Sequence, residues 1–219
     1  MIVKINHTPK IGLLGFRQNL LAEVLNVFKY EYVSLESYTD IDETFDIVLM
    51  SGVHYIIPEE FISKTKYGIF GFHESPLPEG RGSAPIYWSV KNNRPNFTVS
   101  MFRANKYIDK GEIVTSINVP ISKTDTYYSI NEKRNDGIQQ AMYVFLTELS
   151  EGVIVLRGQT GTGSYQKKRT PEDSWLDDSL SLRELWDDIR VCDNTNFPAY
   201  FTVDGIKVIL RYEVVNDTV

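Results

Sequence analysis

Cysteine is almost absent from this chain. Cys192 is the only one among 219 residues, so no intrachain disulfide can form, and the thiol reads as a small buried hydrophobe. Histidine is nearly as scarce. His7, His54 and His73 show no ligand-type spacing, and one thiol cannot complete a zinc site, so no metal is expected. No apolar run approaches the ~20 residues that span a bilayer, and the opening MIVKINHTPK lacks the apolar stretch of a signal peptide. A cytoplasmic protein without membrane association is expected. Basic charge is also in deficit: 23 Lys and Arg against 29 Asp and Glu leave a net charge of −6. Sequence-independent attraction to nucleic acid needs an excess of cations; no DNA partner is expected, and tRNA is disfavoured as a substrate.

What is present is ordinary for a globular protein, with 42% hydrophobic and 24% charged residues, and the length suits one α/β domain with a small appendage. Apolar runs at Lys10–Phe16, Tyr32–Leu35, Phe45–Met50 and Tyr67–Phe72 read as strands. Phe97–Phe102, Glu112–Ile121 and Val153–Arg157 extend the set. Helical spacing joins Leu20, Leu21, Val24, Leu25 and Phe28, and again Ile138, Ala141, Met142, Phe145, Leu146 and Leu149. Pro58 opens a short helix and Ala84–Lys91 forms another. The pattern predicts a Rossmann-like, mostly parallel sheet with helices on both faces. Residues 1–150 form that core. Residues 151–219 form a C-terminal β-containing accessory region that binds substrate, with Gly158–Ser164 a flexible loop and a hairpin about Asp204–Gly205.

Ligands of such sheets collect beyond the carboxyl ends of the strands. Gly12 and Gly15 fall short of the three-glycine dinucleotide fingerprint, and GQTGTGS has no helix after it to present N–H groups to a phosphate. The informative segment is His73–Pro85, HESPLPEGRGSAP, a turn-rich loop directly after a buried strand. A histidine at a strand end is more often structural than catalytic, but here the company it keeps reverses that reading. The pattern HxSxLPxxRGxxP resembles the signature of the formyltransferase family that uses N10-formyltetrahydrofolate. Asp109-Lys110-Gly111-Glu112-Ile113 is similar to that family's DxGxI turn, and Ser51–Pro58 (SGVHYIIP) to the stretch ending in Ile-x-Pro that walls the pterin pocket.

The resemblance implies His73 and Asp109 as the catalytic pair, with N10-formyltetrahydrofolate as donor and tetrahydrofolate as product. It implies cofactor contacts from Val53, Tyr55, Ile56, Ile57, Asn105, Tyr107 and Ile108, together with Asp109. An imidazole can donate to a developing oxyanion and exchange protons near neutral pH. A carboxylate beside it can orient and stabilise the imidazolium and take up the amine proton. One element departs from the pattern. The family has Asn two residues before the histidine, a donor to the formyl oxygen, and this chain has Gly71. Asn105, Ser51 or a water held by the Gly71 backbone are the replacements the sequence offers.

Lys168–Asp173 (KRTPED), Ile189-Arg190 and Asp193–Phe201 (DNTNFPAYF) look like the branch that modifies nucleotide-linked amino sugars. About 60 residues follow the last core helix and its strand, short for the barrel appended to tRNA-modifying members. Substrate contacts are assigned to Ser75, Arg81, Arg169 and Trp175. Of these Arg81, between two glycines, reads first as a tie between loop carbonyls, and Trp175 reads equally as a surface residue or a stacking platform. The expected function is formyl transfer to the amine of a nucleotide-linked amino sugar, pseudaminic-acid-type or similar, with a homodimer compatible. The alternatives are formylation of an aminoacyl group, on tRNA or a peptide-synthetase carrier, and a catalytically impaired folate-binding module.

Overall fold

The computed structural model describes residues 1–215. β1 (Ile2–Lys4), not foreseen from the sequence, precedes β2 (Ile11–Leu14), whose four residues are all buried. A continuous apolar run of this kind suits a strand covered on both faces. α1 (Gln18–Val27) turns Leu21, Val24 and Leu25 inward. β3 (Tyr32–Leu35), β4 (Ile47–Met50), α2 (Glu59–Ile62) and β5 (Gly68–His73) complete the parallel half. β6 (Arg81–Gly82), α3 (Pro85–Lys91), β7 (Asn96–Arg103) and β8 (Ile113–Pro120) lead into α4 (Tyr127–Ser150), whose buried stripe from Ile138 to Leu149 lies on the main core.

The central sheet has six strands in the order β3-β2-β4-β5-β7-β8. Pairing is parallel from β3 to β5 and antiparallel for β5–β7 and β7–β8. The expected mostly parallel sheet is therefore four parallel strands with an antiparallel pair added. A parallel connection needs a crossover of a dozen or more residues, usually helical. Between β5 and β7 the chain is largely taken up by the His73 loop, which leaves only the seven-residue α3. That helix, roughly 10 Å long, is too short to return the chain to the opposite edge.

β9 (Val153–Val155) pairs antiparallel with β1, and β10 (Tyr165–Gln166) pairs parallel with β6. Beyond them α5 (Trp186–Arg190) and the hairpin of β11 (Ala199–Val203) and β12 (Ile206–Leu210) enclose a second small core of Leu176, Leu185, Ile189, Cys192 and Ala199. Asp204 and Gly205 both have positive φ, 47° and 80°, as a tight hairpin turn requires. No helix among the described residues is long and apolar enough to cross a membrane.

α5 is tied to the main body through charge. Arg190 donates to Asp187 at 2.6 Å, to the Ser122 carbonyl at 2.9 Å and to the Asp125 carbonyl at 2.7 Å. Lys123 reaches Asp187 at 2.6 Å, and Lys133 reaches Asp125 at 2.5 Å. Burial pushes both carboxyls up, but hydrogen bonds and the neighbouring cations outweigh it and hold each below its ordinary 3.8. A lowered folded-state pKa adds stability that is complete above the unfolded value and is lost as pH falls through the folded one. Acidification below about pH 4 is therefore expected to raise amide exchange of Trp186–Arg190 before that of β2 and β4. Uniform loss of protection along the chain would contradict this.

Candidate functional site

A cleft of about 1280 Å³ opens across the parallel strands and reaches the C-terminal region. His73, the last residue of β5, is 6% exposed at its floor. Its Nε2 lies 2.8 Å from the Gly80 carbonyl. A carbonyl can only accept, so Nε2 carries a hydrogen and Nδ1 is the nitrogen left to exchange a proton. Nδ1 lies 3.6 Å from Asp109 Oδ2, within ion-pair range and too long for a direct hydrogen bond. The same Oδ2 accepts from the Gly82 N–H at 2.9 Å, which fixes the carboxylate without consuming its other oxygen.

Loop geometry brings the pair together. β7 runs antiparallel to β5, and the turn after it folds back on the His73 loop. Asp109 holds φ of 52°, a region Asp tolerates better than most residues. At Gly111 a Cβ would sit 1.5 Å from the Arg103 carbonyl oxygen, so only glycine lets the turn lie this close to β7. Gly82, at φ of 104°, also passes close to the Gln166 carbonyl, 2.5 Å from an added Cβ. Gln159 joins the two loops. It accepts from Arg81 Nε and Nη2 at 3.2 and 2.6 Å and donates to the Asp109 and Gly111 carbonyls at 2.7 and 2.8 Å. Ser164 accepts from the Gly80 N–H at 2.9 Å. The segment expected to be a flexible loop is thus a brace for both halves of the pair.

Val53, Tyr55, Ile56, Ile57, Asn105, Tyr107, Ile108 and Asp109 all line the cleft, as does Arg169. Ile57 is buried, while Tyr55, Ile56, Tyr107 and Ile108 are exposed large side chains around one mouth, Ile56 at 62%. Such a concentration of exposed apolar surface marks a binding region. Asn105 Oδ1 accepts from the Tyr107 N–H at 2.9 Å, and the Ser51 hydroxyl is buried without a partner.

Three residues expected to contact substrate, Ser75, Arg81 and Trp175, do not line this cleft. Ser75 is buried, donates to the Glu79 carbonyl at 2.6 Å and shapes its own loop. Arg81 is buried with its donors turned to Gln159 and the Thr162 carbonyl, the loop-tie role its glycine neighbours predicted. Trp175 is 47% exposed and bridges backbone to Tyr200 away from the cleft. Arg169 packs on Tyr87, 4.1 Å from the ring, and donates to Ser174 at 2.8 Å. Burial pushes the Tyr87 hydroxyl up to about 12.

Sequence reasoning missed Arg17, Glu74 and Arg134, which also line the cleft. Glu74 was legible as the neighbour of His73. The two arginines sit on a turn and a helix face with no local pattern, and only packing brings them to the site. Among the described residues no group of three His, Cys, Asp or Glu side chains converges on a point.

A family model described as formyl transferase matches residues 36–146, just over half of the chain. Methionyl-tRNA formyltransferase of Francisella tularensis subsp. novicida is 28% identical over 208 residues, which cover 93% of this chain and 60% of that protein. The chain thus spans about three fifths of the length of that curated relative. HypX from Aquifex aeolicus, solved in complex with tetrahydrofolic acid, superposes with a TM-score of 0.77 at 19% identity, covering 93% of this chain and 37% of that one. A sugar N-formyltransferase from a Shewanella species superposes with a TM-score of 0.70 at 19% identity, covering 96% of this chain and all of that one.

Proposed function

This chain belongs to the formyl transferase family, and we propose that it transfers a formyl group from N10-formyltetrahydrofolate to the amine of a nucleotide-linked amino sugar. The observation that carries the reading is the pairing of buried His73 with half-buried Asp109 in the cleft. The apolar walls of Val53, Ile56 and Ile57 and the backbone of the Asn105–Ile108 turn fit the flat, partly polar ring system of a folate. When bound there, the formylated folate supplies an electrophilic carbon. The protein must then hold a neutral amine against that carbon, take its proton as the new C–N bond forms, and return a proton to the departing nitrogen. Asp109, anchored by the Gly82 N–H, is the group in position to receive the proton, directly or through one water. His73 Nδ1 faces the same space and returns a proton only after it has taken one up, since the ring's own hydrogen is held on Nε2 by the Gly80 carbonyl. The partial burial of the pair strengthens these interactions, because water competes less for them.

Several features support a sugar rather than a tRNA. The net charge of −6 offers no general attraction to a polyanion. The cleft is closed on one side by Arg169, Asp193, Asn196 and Phe197 of the C-terminal region. The sugar N-formyltransferase from Shewanella shares the fold over its whole length. A second reading, transfer to an aminoacyl group, is favoured by the 28% identity to a methionyl-tRNA formyltransferase. An assay with N10-formyltetrahydrofolate decides between them, using a panel of UDP- and dTDP-linked amino sugars beside methionyl-tRNA. Turnover with at least one sugar and none with the aminoacyl-tRNA is expected. The opposite pattern would establish the second reading, and folate binding without any turnover would leave a binding module.

A further inference from the structure

Two arginines, Arg17 and Arg134, line the cleft together with the Glu74 carboxylate. Arg17 stands on the turn between β2 and α1, Arg134 lies two turns into α4, and Glu74 directly follows His73. Arg134 donates to Asn131 at 2.6 Å and to Asn135 at 3.2 Å. Its Nε is buried with no acceptor and lies 4.0 Å from the Glu74 carboxylate. The Arg17 guanidinium lies over the Phe16 ring, 4.3 Å from its centroid, and only its backbone N–H has an acceptor among the described residues, the Ser51 carbonyl. Burial lowers the pKa of both arginines, and for Arg17 the charge of Arg134 lowers it further. Arginine nonetheless stays protonated, so two cations share one anion in a partly buried corner. That excess charge, with donors left over, is unfavourable until an anion fills it. α1 begins at Gln18 with no acidic residue in its first turn, so its N-terminal N–H groups add positive potential on the same side.

We propose that Arg17 and Arg134 form an oxyanion subsite that holds a phosphate group of the amine-bearing substrate. The inference rests on the formyl-transfer reading of the same cleft and adds a place where the substrate is gripped away from the reacting amine. Planar guanidinium forks match phosphate oxygens in pairs, and Glu74 prevents the two cations from repelling each other while the subsite is empty. Its carboxylate also offers a local acceptor, so the net charge of the corner is only +1 and a released nucleotide can leave. The carboxylates of a folate's glutamate tail present the same chemistry from a different source.

Calorimetric titration of the full chain separates the two, with inorganic pyrophosphate, uridine and thymidine diphosphates, and 5-formyltetrahydrofolate with and without its glutamate. Arg17→Gln and Arg134→Gln are each expected to weaken the phosphate probes about tenfold or more, the loss of a hydrogen bond to a charged group. Arg17→Lys should recover part of that loss. Folate binding should stay at the wild-type value, and phosphate binding should weaken with salt. Melting curves report whether each variant is folded. Should Arg134→Gln fail to fold, the half-exposed Arg17 carries the test alone. Three results would overturn the subsite: no phosphate binding by the wild-type chain, equal phosphate affinity in folded variants, or a loss confined to the glutamate-bearing folate. No probe requires formyl transfer. Phosphate binding through these arginines without turnover of any amino sugar would therefore count against the reaction and not against the subsite.

Discussion

Turnover falls by at least about 10²-fold when His73 is replaced by Ala or Asp109 by Asn, with folate binding largely retained: this is the expected result for a positioned acid/base pair. The two substitutions test different halves of the geometry. His73→Ala removes the buried imidazole of the cleft and its contact to the Gly80 carbonyl, so some loosening of the His73 loop is included in the effect. Asp109→Asn is the cleaner change. Asn tolerates φ of 52° as readily as Asp, and its amide oxygen can still accept the Gly82 N–H. What disappears is the negative charge 3.6 Å from His73 Nδ1 and the ability to take a proton. Single-turnover rates at saturating donor, with folate affinity measured separately by fluorescence, isolate the chemical step. Near-wild-type rates in either variant would remove that residue from the chemistry.

The second large effect concerns Gly71, where the family resemblance leads one to expect an Asn that donates to the formyl oxygen. Gly71 pairs with Met50 on β4 and with Phe102 on β7. Its φ is not in the left-handed region, so the backbone accepts an ordinary side chain. The obstacle is space. A Cβ built on Gly71 would lie 2.6 Å from the Met50 methyl and 3.1 Å from its Cγ. Met50 lines the cleft and occupies the ground an Asn side chain would need. Gly71→Asn alone must push Met50 into another rotamer, and it is expected to gain little activity. Gly71→Asn combined with Met50→Ala frees the volume and restores a donor, which is worth roughly 10²–10³ in kcat for an oxyanion contact. A double variant that is folded yet no faster than the parent chain would mean that other donors already hold the oxyanion. The unpaired Ser51 hydroxyl would then be the first to examine by substitution with Ala.

Local pattern carried most of the parallel half of the fold. Ile11–Leu14, Tyr32–Leu35 and Ile47–Met50 are strands because each is a short apolar run followed by a turn or a helix. The α4 stripe and the Asp204–Gly205 turn were legible for the same reason: a period of 3.6 and a dipeptide suited to positive φ are properties of consecutive residues. The closeness of His73 and Asp109, the proposed catalytic pair, was legible too, but through motif resemblance and not through periodicity. Tertiary structure decided whatever depends on partners distant in sequence. The antiparallel setting of β7 follows from how the His73 loop uses its length. β1 exists because β9 pairs with it across some 150 residues. Arg81 became a brace because Gln159, 78 residues later, meets it. Arg17 and Arg134 share a cleft because α4 packs against α1 and the sheet. A pattern of adjacent residues reports the face an element buries, whereas the partner of a buried polar group is set by which loops the finished fold brings within about 3 Å.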